Sequence, residues 1–325
     1  MCLAPLTAWR VPSKTRSESQ YLPQTTFGKI KGQLIRSPRT ITFRRSEGIT
    51  GSEFKIPCGK CPECLKAKRQ EWSTRIRNEA SLYDSNKVFF LTLTYNDANL
   101  PLSDSGKPTL RKRDVQLFLK RLRKDLGYFG TRIRFYCVGE YGSRYSRPHY
   151  HLIIFGHDFA DRRPLRRNGR FLDYISATVS KCWTFGFHTL NEYSDSTANY
   201  ISGYVTKKLT KHNEISADIE PEFHTMSNRR GIGYGYFIRN LHNIFRPDSV
   251  RLVTRNGVTG RFFTVRIPSA YWNWLKSEDE VLYRCCKLYV RRIAMSLPER
   301  SLSEAIKVND YITNSLRKEK RAYET

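Results

Sequence analysis

The stretch Arg132–Phe155, RIRFYCVGEYGSRYSRPHYHLIIF, decides the fold. Its first part, RIRFYCVGEY, alternates polar and apolar side chains at period two, the mark of a half-buried strand. GSRYSRP then offers Gly, Ser and Pro for a reversal, and HYHLIIF resumes the alternation in part. The two segments are expected to form an antiparallel hairpin. Residues two apart on a strand share a face, so His149 and His151 project together, with Tyr150 on the other side. Glu140 lies near the end of the preceding strand, where the hairpin brings a carboxylate against the two imidazoles. A carboxylate with two imidazoles makes a workable Mg²⁺ or Mn²⁺ site facing a phosphate.

Working outward, VFFLTLTY from Val88 to Tyr95 is β-branched and aromatic and ends at the turn-forming Asn96-Asp97, which predicts a buried strand. Arg111–Leu126 places Val115, Phe118, Leu119, Leu122 and Leu126 at helical spacing. Arg113, Lys120, Arg121, Arg123 and Lys124 occupy the rest of that cylinder, a basic face suited to a nucleic-acid backbone. Asp173–Trp183 reads as a helix, Phe185–Tyr193 as a strand and Ser196–Leu209 as a further helix. The order β-α-β-β-α-β followed by a helix is ferredoxin-like and implies an α+β fold, an antiparallel sheet with helices on one face.

The flanks are less regular. Arg10–Thr50 is rich in Ser, Thr, Arg and Lys and reads as an extended arm. PCGKCPECLKAKRQEW follows and leads into a helix over Leu65–Tyr83. Beyond residue 212, RRGIGYGYF reads as a Gly-rich turn, Gly260–Pro268 as a strand and the stretch after Arg300 as helical. The expected domains are an arm with a Cys-rich knuckle over 1–85, a catalytic core over 86–212 and a C-terminal extension over 213–325 that packs on the core.

The chain has 325 residues, with 57 Lys and Arg against 30 Asp and Glu, a formal charge of +27. Such an excess is the footprint of a protein that meets phosphates, with single-stranded DNA among the expected partners. At 39% hydrophobic residues the sequence is that of a folded chain and not a disordered basic tail. Its apolar runs, such as Val88–Leu91 and Leu152–Phe155, fall far short of the roughly 18 residues of a membrane span. The start MCLAPLTAWR lacks the pattern of an export signal, so a cytoplasmic location is expected.

Two further constellations carry chemistry. In YISGYVTKK, Tyr200 and Tyr204 are four apart on a helix and share a face, with Lys207 and Lys208 one turn on. A phenol, with a pKa near 10, is a poor nucleophile until a cation or metal stabilises the phenolate. Gly203, costing roughly 1 kcal/mol relative to Ala inside a helix, argues against purely structural packing. Cys58, Cys61 and Cys64 have the spacing of a zinc or iron-sulfur site, for which Cys2 is the natural fourth thiolate of a structural Zn²⁺. Cys137, Cys182, Cys285 and Cys286 receive no role.

Together these motifs resemble those of the replication initiators of microviruses, gokushoviruses in particular. The resemblance rests on Cys2, PCGKCPEC with Arg69, Trp72 and Arg75, FFLTLTYND followed by Leu100-Pro101, GEYG, RPHYHLIIFG, YISGYVTKK and SNRRGIGYGYF, spanning residues 2 to about 240. That family belongs to the HUH endonucleases, named for His, a bulky hydrophobic residue, His. Tyr150 is a slight departure at the middle position, and Arg230 stands where a proline is expected before Gly231. The resemblance implies a rolling-circle initiator that nicks single-stranded phage DNA at an origin. His149, His151 and Glu140 would hold Mg²⁺ or Mn²⁺, and Tyr200 or Tyr204 would form a 5′-phosphotyrosine link. Lys208 and Lys207 would support the charge, and Arg113, Lys120, Arg123, Lys124 and Arg147 would contact DNA. Host helicase and polymerase are the implied partners, in the cytoplasm of an infected bacterium. Competing readings are another HUH nuclease, a noncatalytic zinc-containing DNA-binding protein, and a basic virion protein.

Overall fold

Leu6–Arg10 (β1), Ile41–Thr42 (β2) and Phe54–Ile56 (β3) pair antiparallel in the order β2-β1-β3. The structure is a computed structural model describing residues 5–11, 41–128, 130–142, 146–168, 171–210, 218–255, 262–296, 303–304, 306–308 and 310–315. It divides into two units, Met1–Leu65 with Arg300–Ala322, which contains this small sheet, and Lys66–Glu299 with Tyr323–Thr325. Most of the stretch expected as an arm, residues 12–40, lies outside the described residues. At Gly48 a Cβ would fall 2.2 Å from the Cβ of Trp9, so only glycine lets the chain pass beneath that ring.

The second unit is built on a seven-stranded sheet. Its elements are α1 (Pro62–Ala80), β4 (Val88–Tyr95), α2 (Lys112–Gly127), β5 (Arg134–Tyr141), β6 (Pro148–Phe155), β7 (Arg162–Asn168), β8 (Phe171–Ser176), α3 (Ala177–Cys182), β9 (Gly186–Glu192), α4 (Asp195–Thr210) and β10 (Phe223–Met226). The strand order is β10-β5-β6-β4-β9-β8-β7, with every neighbouring pair antiparallel. The expected hairpin is β5–β6, in the register Glu140 opposite His149 and Val138 opposite His151.

Period two along β4 separates two cores. Phe89, Leu91, Leu93 and Tyr95 join Val115, Phe118, Leu119, Leu122 and Leu126 of α2 and Val179 and Cys182 of α3. Val88 and Phe90 join Trp72, Ile76 and Ala80 of α1 and Ala198, Ile201 and Tyr204 of α4. The expectation of helices on one face is therefore corrected: α2 and α3 cover one face, and α1 and α4 cover part of the other. A strand apolar on both sides, as VFFL is, needs a layer on each.

The helix expected over Asp173–Trp183 is half right. Residues 171–176 are strand β8, and the helix begins only at Ala177, with the Ser176 hydroxyl accepting from the Val179 amide at 3.2 Å. Tertiary pairing overrides local pattern there: Asp173 accepts from Arg166 Nε at 3.0 Å and from Asn191 Nδ2 at 2.7 Å, fixing β8 between β7 and β9.

In the C-terminal third, α5 (Tyr234–Arg239), α6 (Leu241–Ile244), α7 (Ser269–Glu278) and α8 (Glu280–Ser296) close a third core around Phe237, Tyr271 and Leu275. SNRRGIG ends at Gly233, whose φ of +87° caps α5. Arg230 has φ +58°, which a proline, locked near −65°, cannot adopt, so the departure at this position suits the observed backbone.

Candidate active site

The alternation of β6 puts both imidazoles on the face carrying α1 and α4, and sends Tyr150 into the opposite core. There the Tyr150 hydroxyl accepts from the Arg111 amide at 2.8 Å, tying the histidine strand to the start of α2. The His149 and His151 rings lie 6.5 Å apart at an interplanar angle of 27°. Each is held at Nδ1 by the neighbouring strand. Thr94 Oγ1 is 3.1 Å from His149 Nδ1, and Thr92 Oγ1 is 3.1 Å from His151 Nδ1. The strand register places these hydroxyls directly opposite the histidines.

Glu140 Oε1 is 2.8 Å from His151 Nε2, with the glutamate 5% and the histidine 7% exposed. Burial lowers the pKa of His149, with His151 adding in the same direction. A neutral imidazole with its lone pair available is the form a metal requires.

On α4, the Tyr200 and Tyr204 rings meet at 5.0 Å, and the Tyr204 hydroxyl donates to that of Tyr200. Tyr204 stacks on His151 at 5.3 Å and 13°, while Tyr200 meets it edge-on at 5.7 Å. Phe90 closes the cluster, stacked on His151 at 5.6 Å. Burial raises the Tyr204 hydroxyl pKa well above its usual value, and Glu140 and Tyr200 push the same way. The phenol is thus neutral until positive charge arrives. Lys207 and Lys208 lie on α4, with side chains outside the described residues.

The tyrosine helix is gripped by α1. Arg69 donates to the Asn199 carbonyl at 3.3 and 3.2 Å, and Asn199 Oδ1 accepts from Ser73 at 2.6 Å and from Arg77 at 2.8 Å. Gly203 lets this approach happen, since a Cβ would meet the Arg69 guanidinium at 3.7 Å. Asn199, Thr92 and Thr94 were not legible as site residues. The threonines leave a trace in the alternation of LTLTY, but their partners depend on strand register; Asn199 has only its place before Tyr200.

The basic residues proposed from sequence sit elsewhere. Arg113, Lys120, Arg123 and Lys124 are exposed on α2, which packs on the sheet face opposite the histidines. Arg147 lies at the site's edge, donating to the Tyr95 carbonyl at 3.2 and 2.9 Å and to Asp97 at 2.7 Å.

In the other unit, Cys58, Cys61 and Cys64 place their Sγ atoms within 4.8 Å of one another, the only such trio of metal-ligating side chains among the described residues. Cys58 Sγ accepts from the amides of Lys60 at 3.4 Å and Cys61 at 3.3 Å, and Gly59 takes φ +74° in the turn. Amides turned toward a sulfur stabilise a thiolate, so the trio fits a soft cation such as zinc. Cys2 lies outside the described residues. The His149, His151 and Glu140 set is more open, with only the last two in direct contact, yet its chemistry fits a divalent cation: two imidazoles oriented at Nδ1 and one buried carboxylate.

No helix among the described residues is long and apolar enough to cross a membrane. Residues 88–209, from β4 through most of the tyrosine helix, match the family described as Replication-associated protein ORF2. The chain is 31% identical over 271 residues to the Replication-associated protein ORF2 of Spiroplasma virus 4, covering 81% of this chain and 82% of that protein. It is 31% identical over 232 residues to the Replication-associated protein VP4 of Bdellovibrio phage phiMH2K, covering 69% of each. Over 212 residues it is 29% identical to the Replication-associated protein ORF4 of Chlamydia phage 1, covering 61% of this chain and 50% of that protein. No solved structure matches the chain. With the core, the histidine strand and the paired tyrosines all inside the matched region, the chain belongs to the family of microvirus replication-associated proteins.

Proposed function

We propose that this protein is a rolling-circle replication initiator that nicks single-stranded phage DNA by tyrosine attack. The observation that carries the proposal is the packing of Tyr200 and Tyr204 against His151, itself bonded to Glu140. The strand order β9-β4-β6-β5, with α2 and α3 as crossovers on one face, is that of a ferredoxin-like core and supports an HUH endonuclease reading.

In the proposed reaction a phenolic oxygen bonds to phosphorus as the bond from phosphorus to the 3′ oxygen breaks. The phenolic proton is lost and the leaving 3′ oxygen is protonated. With Nδ1–H donated to Thr92 and Thr94, the two histidines keep Nε2 lone pairs for Mg²⁺ or Mn²⁺, and Glu140 supplies an oxygen. A cation bound there would neutralise the scissile phosphate and favour a nearby phenolate. The raised pKa of Tyr204 makes such positive charge, with help from Lys207 and Lys208, a requirement of the reaction. The phosphotyrosine bond conserves energy for rejoining, and the second tyrosine can attack the regenerated origin while the first holds the old 5′ end. The free 3′ hydroxyl suits a host polymerase working with a host helicase in the bacterial cytoplasm. Zn²⁺ on Cys58, Cys61, Cys64 and Cys2 would serve structure alone.

The test is incubation with labelled single-stranded phage DNA and Mn²⁺ or Mg²⁺, read on a denaturing gel. The expected result is a protein-linked band that EDTA removes and that the Tyr200→Phe/Tyr204→Phe variant lacks. Tight binding with no adduct on origin-containing DNA would favour a noncatalytic DNA-binding protein.

A further inference from the structure

The sheet face that carries the histidines is covered only in part. Helices α1 and α4 pack over Tyr136, Val138, Ile153 and Phe155 of β5 and β6 and over Val88 and Phe90 at one end of β4. On the same face, β9, β8 and β7 present Phe187, Thr189, Ile175 and Arg163, all exposed or half-buried.

Register ties this open half to the site. Thr94, whose hydroxyl holds His149, pairs with His149 on one side and with Phe187 on the other. Phe187 therefore stands in the same cross-strand row as His149, and it is 68% exposed. One row along, His151 pairs with Thr92 and Thr92 with Thr189. The antiparallel pair Tyr174–Leu190 then carries that row to Ile175, 37% exposed, which pairs with Arg163 at the sheet edge. Gly186 is needed for this layout, because a Cβ there would lie 2.4 Å from the Thr94 carbonyl oxygen.

A single exposed ring needs no explanation. Here, however, the ring adjoins the candidate centre, and the strip beyond it ends on arginines. Arg166 answers Asp173, but Arg163 forms no ion pair among the described residues. Aromatic next to cation along an open groove is what single-stranded nucleic acid recognises: bases stack on the ring while the backbone follows the positive charge.

We infer that this open half of the sheet is the track for the single strand flanking the scissile phosphate, with Phe187 as its stacking platform and Arg163 as a backbone contact. The inference rests on the nicking reading for the position of the phosphate, but not for the binding of the strand. It replaces α2, which lies on the far face, as the surface that leads single-stranded DNA to the tyrosines.

The test uses the full chain and an oligo-dT strand carrying one 2-aminopurine, whose fluorescence is quenched on stacking. Phe187→Ala is expected to lose the quenching and to bind the strand about tenfold more weakly, while Phe187→Trp keeps both. Arg163→Ala is expected to reduce the salt slope of binding by about one. Lys120→Ala, on the opposite face, is expected to leave quenching unchanged. If Phe187→Ala and Arg163→Ala bind and quench like the parent, the track is wrong, even where the parent forms a covalent adduct. If Phe187→Ala loses quenching while the parent forms no adduct, the track stands and the nicking reading falls.

Discussion

Glu140 Oε1 and His151 Nε2 meet at 2.8 Å across adjacent strands, both almost fully buried, directly beneath the tyrosine pair. A carboxylate this well enclosed costs free energy unless something positive or proton-donating faces it. Glu140→Gln keeps the shape and removes the charge. Adduct formation is expected to fall by about 10- to 100-fold, with half-saturation shifted to higher Mn²⁺, as when a charged partner of a metal-ligating histidine is lost. A single-turnover nicking series in Mn²⁺ measures both. Unchanged metal dependence would remove Glu140 from the site.

Thr92 and Thr94 act through the imidazoles. Val is nearly isosteric with Thr, so Thr92→Val/Thr94→Val should leave the sheet intact and free both rings to turn about their bonds to the strand. Each loses one net hydrogen bond, about 1 kcal/mol. Mn²⁺ affinity is expected to weaken about tenfold or more, with little change in melting temperature; isothermal titration and a thermal scan separate the two. An unchanged affinity would make the threonines ordinary strand residues.

For the cysteine trio, the expectation concerns metal content. Cys61→Ser removes one of three thiols within 4.8 Å of one another, and purified variant protein should lose the tightly bound zinc that the parent retains after dialysis. Elemental analysis decides it. Equal metal in both would leave the knuckle as three reduced thiols held by the turn at Gly59.

What the sequence revealed follows the range of the forces involved. Period two in VFFLTLTY and RIRFYCVGEY, and period 3.6 in Arg111–Leu126, are local consequences of burial, and strands β4 and β5 and helix α2 appear where expected. His149 and His151 on one face, and Tyr200 beside Tyr204, follow from the same periodicities. The β7–β8 hairpin was missed because RRPLRRNGRF has few apolar residues to mark a strand. It is held instead by Arg166 on Asp173 and by Arg162 on Asp158. The face on which α2 lies could not be read either, since a helix's own pattern says which side it buries but not against which side of the sheet.

His188 offers a dependence on pH. Its Nε2 accepts from the Ser176 amide at 3.0 Å, and burial lowers its pKa below the usual 6.5. The unfolded chain therefore takes up the proton first. This contribution to stability is complete above about pH 6.5 and is lost as pH falls toward the folded value, by at most about 1.4 kcal/mol per pH unit. The melting temperature should drop between pH 7 and pH 5, and His188→Gln, which can accept the same amide bond without titrating, should flatten the drop. His149 and His157, also lowered by burial, leave a residual slope. Parallel curves for parent and variant would assign the whole effect to those two.

Asn199 precedes Tyr200 and fastens the tyrosine helix to α1 at three successive turns, through Arg69, Ser73 and Arg77. Its carbonyl and side-chain oxygen together accept four of those bonds, so the residue is well placed to set where both phenols stand. Asn199→Ala removes the side-chain acceptor and leaves Ser73 and Arg77 without it, a loss of about 1–3 kcal/mol in local order. If that order positions the nucleophile, the adduct rate falls about tenfold or more while affinity for single-stranded DNA stays near that of the parent. Asn199→Asp keeps the acceptor and adds a charge that Arg69 and Arg77 can meet, and is expected to restore the rate. A purely structural role predicts another pattern, in which DNA affinity, melting temperature and adduct rate decline together and the aspartate gives no selective rescue. Stopped-time denaturing gels with binding and melting curves on the same three proteins separate the two outcomes.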